Sequence, residues 1–306
     1  MTAPNLETVP CGLCRSQRSR VRFESPNVWS EGSADHFAAT TDVFGAYGTV
    51  RECLDCGLLY TSPRPSAEAL LAGYEGNDDP DYESERDSRS MNAHLGLSTI
   101  RRHAPGGRLL EVGCANGFFL NAARMSYETV GVEPSRRARA YAREKLRLDI
   151  PAATLKEANF PGASFDVVVL VDVIEHLADP LDLLKEVSRV TKTGGIVYLV
   201  TPNIESLSAR LLGSRWWGLR PAHVQYFSPK TLSALLQKTG FEVVESRSYG
   251  RIFSWGYWLT RLENYPRLLT APIETAVNLM GIRNKFLYLD TRDSIQVVAK
   301  RLPEPS

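Results

Sequence analysis

The sequence has no apolar run long enough to cross a bilayer. Its first residues, MTAPNLETVP, carry neither the basic nor the apolar region of a secretory signal, so a cytoplasmic protein is expected. Net charge is nearly absent. The 36 Lys and Arg against 35 Asp and Glu leave +1, which gives no overall pull on nucleic acid or on acidic membranes. Cysteine is scarce, with five in 306 residues. In a reducing compartment these are thiols or metal ligands rather than disulfides. No internal repeat and no long low-complexity segment is visible. What is present, 43% hydrophobic and 23% charged residues, suits a globular chain with one large core and a small appendage.

The chain is organised around LLEVGCANGFF, Leu109 to Phe119. Leu109, Leu110 and Val112 read as a short buried strand, Gly113 to Gly117 as a tight turn, and Phe118 to Arg124 as the start of a helix. A dinucleotide site wants G-x-G-x-x-G facing a pyrophosphate. Counted from Gly113, the next two glycine positions hold Ala115 and Phe118, and Glu111 at the strand end would repel phosphate. A carboxylate there suits a cationic ligand without phosphate, such as S-adenosylmethionine. A second strand, Thr129 to Val132, ends in Glu133, about twenty residues past the first glycine, where a carboxylate can take both ribose hydroxyls.

With these residues the sequence resembles the class I S-adenosylmethionine-dependent methyltransferases, whose first motif is E/D-x-G-x-G-x-G. Glu111, Gly113 and Gly117 match it, and Ala115 replaces the middle glycine. The resemblance covers roughly residues 90 to 300. It implies a Rossmann-like α/β fold with a seven-stranded, mostly parallel sheet and helices on both faces. The cofactor set it implies is Glu111, Gly113, Ala115, Gly117, Glu133, Pro134, Thr154, Leu155 and Asp172, with Thr154 and Leu155 over the adenine.

Ahead of this unit stand two C-x-x-C knuckles, Cys11/Cys14 and Cys53/Cys56. Four thiolates in two such pairs can close a tetrahedral zinc site, structural because no position is left open. The piece resembles the N-terminal zinc-binding module of some bacterial sugar and polysaccharide-cluster methyltransferases. Residues 66–74 read as a short helix capped by Ser66, and the acidic stretch Glu75 to Ser88 as a surface linker or a lid over the cofactor. Residues 89–103 read as the helix before the first strand.

Pro134 and Ser135 open a helix to about Arg147, and Phe165 to Val171 is apolar enough for a central strand buried on both faces. That strand delivers Asp172, Glu175 and His176 to the carboxyl edge of the sheet, where α/β proteins hold ligands. One-turn spacing lets the three face one cleft or hold a divalent cation, as an acid-x-x-Glu-His set does in some resembling quinone O-methyltransferases. The H-V-Q-Y-F-S stretch resembles one that lies near the acceptor in relatives. It makes His223 the leading general base and lets Tyr226 orient the acceptor, with His176 as a further ligand or base. Trp216 and Trp217 can stack on a sugar or aromatic acceptor or pack in the core. Sixth and seventh strands fall at Phe241–Tyr249 and Ser294–Lys300, around an aromatic-rich insertion of helical spacing.

The expected organisation is a zinc-binding module at 1–65, a helix and linker or lid at 66–90, and a methyltransferase domain at 91–306 with an acceptor-side insertion at 250–290. The expected reaction is methylation of a hydroxyl on a sugar or a related small or lipid-linked metabolite. Rivals are a quinone-precursor O-methyltransferase, an rRNA methyltransferase and a non-catalytic binding module. Near-neutral charge and Thr201-Pro202-Asn203, in place of an N/D-P-P-aromatic motif, argue against nucleic acid. The insertion can cap the acceptor, form a homodimer face, or touch a membrane peripherally.

Overall fold

A computed structural model describes residues 6–25, 46–76, 79–262 and 267–303. Among the described residues five short strands come first: β1 (Leu6–Glu7), β2 (Ser19–Phe23), β3 (Val50–Cys53), β4 (Leu59–Thr61) and β5 (Arg64–Pro65). Two helices follow, α1 (Ala67–Glu75) and α2 (Arg86–His103). The α/β unit begins with β6 (Arg108–Val112), α3 (Phe118–Ala123), β7 (Glu128–Val132), α4 (Arg136–Glu144) and α5 (Leu155–Ala158). It continues through β8 (Phe165–Val171), α6 (Pro180–Val190), β9 (Thr191–Pro202), α7 (Leu207–Leu212), β10 (Gln225–Tyr226), α8 (Pro229–Lys238) and β11 (Phe241–Ser248). The insertion is β12 (Arg251–Ser254), α9 (Trp255–Leu262), α10 (Arg267–Leu279) and β13 (Phe286–Leu289), and β14 (Ser294–Arg301) closes the fold.

The central sheet runs β11-β14-β9-β8-β6-β7, and β14 is its one antiparallel member among the described strands. Six strands form it. At the seventh position the chain makes a single parallel bridge, Val132 to Ala152, before α5 begins. Proline at 151 helps explain the brevity, because it cannot donate to a ladder. In β8, Phe165 and Val167 to Leu170 are all buried, as its apolar run requires of a central strand. Helix ends follow their local chemistry. Asp179 caps α6 with Pro180 at the first helical position, and Ser228 and Thr231 form a reciprocal capping box on α8.

Two expectations need adjusting, and a third, the linker or lid, gains detail. The helix after Glu133 stops at Glu144 rather than near Arg147. Within the acidic stretch 75–88 the described residues include a short 3-10 turn at Pro80–Glu83 ahead of α2, and Tyr82 stacks on Phe118 with centroids 6.0 Å apart. The insertion is helical only in its middle, because its ends pair as an antiparallel hairpin, β12 with β13.

Of the N-terminal strands, β1 and β5 pair with each other, whereas β2, β3 and β4 share a sheet ordered β10-β4-β3-β2, whose remaining strand comes from the α/β unit. Thr61 N–H donates to Val224 O (3.0 Å), Lys238 Nζ to Leu13 O (3.1 Å), and Arg15 pairs with Asp179 (2.5 Å). Cys11, Leu13, Cys53, Leu58 and Tyr60 share one buried cluster with residues of β6, β8 and α8.

Candidate active site

The glycine turn depends on backbone shape. Gly113 (φ +72°) and Gly117 (φ +79°) are left-handed, and a Cβ would meet Val173 Cγ2 at 2.7 Å and Leu148 Cδ1 at 2.4 Å respectively. Ala115 also takes positive φ, +46°, so alanine adopts the left-handed backbone at the middle position of the motif. Its N–H donates to Glu133 Oε2 (2.7 Å), and Ser135 N–H donates to Glu133 Oε1 (2.8 Å). Burial raises the Glu133 carboxyl above its ordinary range, and these two N–H groups oppose the shift.

Glu111 is 5% exposed, and its Oε2 has no hydrogen-bond partner. Burial, with Glu133 close by, pushes its carboxyl well above the usual range. A buried acid in this condition is short of a cation. It lines a cavity of about 850 Å³ together with Gly113, Ala115, Glu133, Pro134, Thr154, Leu155 and Asp172. The expected cofactor residues are thus brought together, apart from Gly117, which shapes the turn from behind. An ammonium-bearing ligand fits the orphaned carboxylate.

Asp172 ends β8 with φ +53°, a strained setting for a non-glycine residue at a ligand-bearing sheet edge. Arg251 of β12 grips it with two hydrogen bonds, Nη1 to Oδ2 (2.9 Å) and Nη2 to Oδ1 (2.7 Å). Burial disfavours the Asp172 charge, but the Arg251 guanidinium outweighs it and holds the carboxyl below its usual range. The proposed cation set Asp172, Glu175 and His176 is therefore corrected. The donor atoms that gather within 4.8 Å of one another belong to Glu175, His176 and His223. Glu175 is 2% exposed; its Oε2 accepts from Thr201 Oγ1 (2.9 Å), and its Oε1 makes no hydrogen bond and lies 3.9 Å from His176 Nε2. Burial, with Asp172 nearby, pushes its carboxyl up to about 8.

His223 is buried and its ring meets that of His176 edge to face, with centroids 4.7 Å apart. Its Nδ1 lies 2.8 Å from the Gly218 carbonyl, an acceptor, so Nδ1 carries the proton and Nε2 the lone pair. Burial, then the neighbours His176 and Arg220, drive its pKa well below the ordinary histidine value. Both rings are neutral near pH 7; burial lowers His176 to about 4. His176 Nδ1 sits 2.6 Å from the Tyr74 hydroxyl and 3.0 Å from Ala222 O.

Tyr226 does not face this space. It lies in a separate buried cluster with Tyr47, Val50 and Trp216, and its hydroxyl donates to His223 O (2.8 Å). Its expected contact with the acceptor is corrected, because pairing with β4 turns the residue inward. The tryptophans divide. Trp216 is core, while Trp217 lines the cavity and donates from Nε1 to Asp293 Oδ2 (3.3 Å). Sequence reasoning missed Tyr74, Tyr82, Arg251, Phe253, Trp255 and Trp258, all of which line the cavity from α1, the 3-10 turn and the insertion. The aromatic density of the insertion was the one signal for half of them.

In the N-terminal module the two knuckles are alike. Arg15 N–H donates to Cys11 O (2.9 Å) and Gly57 N–H to Cys53 O (3.0 Å), and both residues after the second cysteine have positive φ, +64° and +81°. The sulfurs of Cys11, Cys14, Cys53 and Cys56 all lie within 4.8 Å of one another. Tetrahedral zinc at Zn–S of about 2.3 Å separates its sulfurs by about 3.8 Å, so the donor set fits that ion. Residues 26–45 of the expected module lie outside the described residues.

A profile of the family described as "Methyltransferase domain" matches residues 82–246. A ubiquinone biosynthesis O-methyltransferase of Cereibacter sphaeroides is 29% identical over 184 residues, 55% of this chain and 74% of that protein. Its counterpart in Ruegeria pomeroyi is 32% identical over 166 residues, 50% and 66% of the two chains. Among solved structures, a chain of the complex that holds the Haloferax volcanii Trm112 methyltransferase activator superposes with a TM-score of 0.53 at 19% identity. That match covers 79% of this chain and 100% of that one, and it speaks for the fold alone. No helix of the described residues is long and apolar enough to cross a membrane. The glycine turn, its two buried acids and the matching profile agree, and this chain belongs to the class I S-adenosylmethionine-dependent methyltransferases.

Proposed function

We propose that the protein methylates a hydroxyl of a sugar or a related small or lipid-linked metabolite, with His223 as general base. The observation that supports this best is the state of His223, neutral, tautomerically fixed by Gly218 and with its Nε2 lone pair unused among the described hydrogen bonds. S-adenosylmethionine supplies the methyl group as a sulfonium substituent. In this reading Glu111 and Glu133 hold the ammonium and ribose, and Thr154 and Leu155 border the adenine. Arg251 fixes Asp172 beside the reacting centre. Trp217, Phe253, Trp255 and Trp258 seat the acceptor and exclude water, so that alignment supplies most of the rate. Cys11, Cys14, Cys53 and Cys56 hold a structural zinc that keeps β4 against β10. The test is calorimetric titration with S-adenosylhomocysteine, followed by an acceptor screen with wild type and His223→Gln. Expected is unchanged cofactor affinity and a turnover loss on the order of 10²–10⁴. An active His223→Gln enzyme would remove the base from the scheme.

A second reading, methylation of a quinone precursor, is favoured by the Glu175, His176 and His223 donors and by the relatives' names. There the histidine is a cation ligand rather than a base. Activity that vanishes with a chelator and returns with Mg²⁺, with zinc at the cysteines retained, selects this reading over the first.

A further inference from the structure

Helix α10 is built inside out. Among its described side chains Val277 is the buried one and Ile273 reaches the cavity wall, so that side faces the protein. On the opposite side Leu268, Pro272, Thr275, Ala276 and Leu279 recur at helical spacing, all exposed and all uncharged. Leu268 is 88% exposed and Leu279 83%. A helix that ends its packing at the protein surface should turn charge outward. Here the outward stripe is the apolar one, and Met280 after it and Phe286 and Tyr288 on β13 are further exposed apolar side chains of the same segment.

The surroundings of the stripe have a sign. Arg267 stands at one end of the helix and Arg283 and Lys285 just beyond the other, with Arg292 after β13, all exposed. The acids of this segment are Glu274 and Asp290, and Asp290 accepts from the Ser248 hydroxyl (2.6 Å). Residues 267–292 thus carry an excess of two positive charges in a chain whose total is one. A second copy on the same face would set these cations against one another across a two-fold axis. An anionic lipid surface instead takes the apolar stripe into its acyl boundary and the cations among its headgroups. The stripe also adjoins the chemistry. Ile273, Leu287 and Leu289 line the cavity from the same helix and strand that present Leu268, Leu279 and Tyr288 outward.

We propose that α10 and β13 form a peripheral docking face for an anionic bilayer, through which an amphiphilic acceptor enters the apolar half of the cavity. The docking face stands whatever the reaction. Only the acceptor's amphiphilic class rests on the methyl-transfer reading above. The test is co-sedimentation of the full chain with vesicles of phosphatidylcholine alone and of phosphatidylcholine mixed with phosphatidylglycerol. It is repeated with Leu268→Glu/Leu279→Glu and with Arg283→Glu/Lys285→Glu, with S-adenosylhomocysteine binding as the control for an intact fold. Wild type is expected to bind the anionic vesicles, less so at high salt, and each double variant to lose at least about tenfold in partitioning with cofactor binding unchanged. No vesicle binding by wild type, or binding indifferent to both variants, overturns the proposal. So does a dimer in sedimentation velocity that Leu268→Glu/Leu279→Glu dissociates while wild type ignores vesicles, since the face would then be covered by a second copy.

Discussion

The cysteine-bearing N-terminal strands and the insertion both flank the catalytic sheet, but they are attached in different ways. The first is joined by a backbone ladder, with side-chain links such as Arg15–Asp179 and Lys238–Leu13 beside it. β4 pairs with β10, Thr61 N–H reaches Val224 O, and Thr61 Oγ1 donates to His223 O (3.3 Å). The second is joined through side chains. Arg251 holds Asp172, and the Asn92 amide of α2 clamps Ile252 from both its groups (2.8 and 2.7 Å). Beyond that stem the insertion pairs with itself and leaves an apolar helix outside. A backbone joint fixes where a peptide lies, here the one that carries His223. Side-chain joints over a self-paired hairpin allow a wall to be shaped without altering the sheet. The same catalytic unit therefore receives rigidity from one flank and chemistry of access from the other.

The largest effect should come from breaking the rigid flank. Cys53→Ser removes one donor from a quartet whose zinc would contribute about 10 kcal/mol or more to its local fold. Turnover is expected to drop on the order of 10²–10⁴ through the displaced His223, with S-adenosylhomocysteine affinity kept within about tenfold, since the glycine turn lies elsewhere. Parallel loss of both would mean that the strands hold up the whole unit, and the distinction between flanks would fail.

Glu111→Gln comes next and belongs to neither flank. Its carboxyl is raised by burial above the unfolded value of 4.5, so the folded form favours the protonated acid. Its contribution to stability is full at low pH and declines as pH rises through the raised pKa. The ligand-free variant should therefore melt above wild type at pH 8 and close to it at pH 4. Cofactor affinity should fall on the order of 100-fold, the consequence of removing one partner of a buried ion pair at about 3 kcal/mol. A wild type no less stable at pH 8 than the variant would refute the orphaned-acid description.

On the insertion side, Arg251→Leu removes both hydrogen bonds to Asp172. A roughly tenfold loss in kcat/KM is expected, in the range of one charge-assisted pair, with the N-terminal cysteines still binding metal. Smallest is Thr61→Val, which deletes one hydroxyl bond to His223 O but keeps the strand pairing. About 1 kcal/mol, read as a few-fold change in kcat with unchanged cofactor affinity, would place a share of His223's setting in the N-terminal strands. No change would assign that setting to the β4–β10 ladder alone.

What the sequence disclosed was local. Glu111, Gly113, Gly117 and Glu133 could be read because a strand end, a turn and a second strand end meet by construction in a parallel β-α-β unit. The cysteine pairs could be read because each knuckle closes on itself. Tyr226 was misjudged for the opposite reason. Its direction is set by pairing with Leu59 of β4, far earlier in the chain, and nothing in H-V-Q-Y-F-S reveals that pairing. Arg251, Tyr74 and Tyr82 were invisible on the same ground, each reaching the cavity only after tertiary folding brings it there. The shortened strand at Ala152 and the outward apolar stripe of α10 show two further limits. Proline overrides a family pattern at one edge, and periodicity reveals an apolar face without revealing which way it points.

The strand shared between β4 and β10 has a consequence for synthesis. Leaving the ribosome, the knuckles can gather their cysteines early, but β4 must wait with one edge open until Gln225 and Tyr226 have been made. Through that interval the nascent chain carries an unpaired strand beside Leu58 and Tyr60, residues that end fully buried. A fragment that stops short of residue 225 would keep that edge permanently exposed, so the N-terminal part and the enzyme it steadies are one folding unit in time as well as in space.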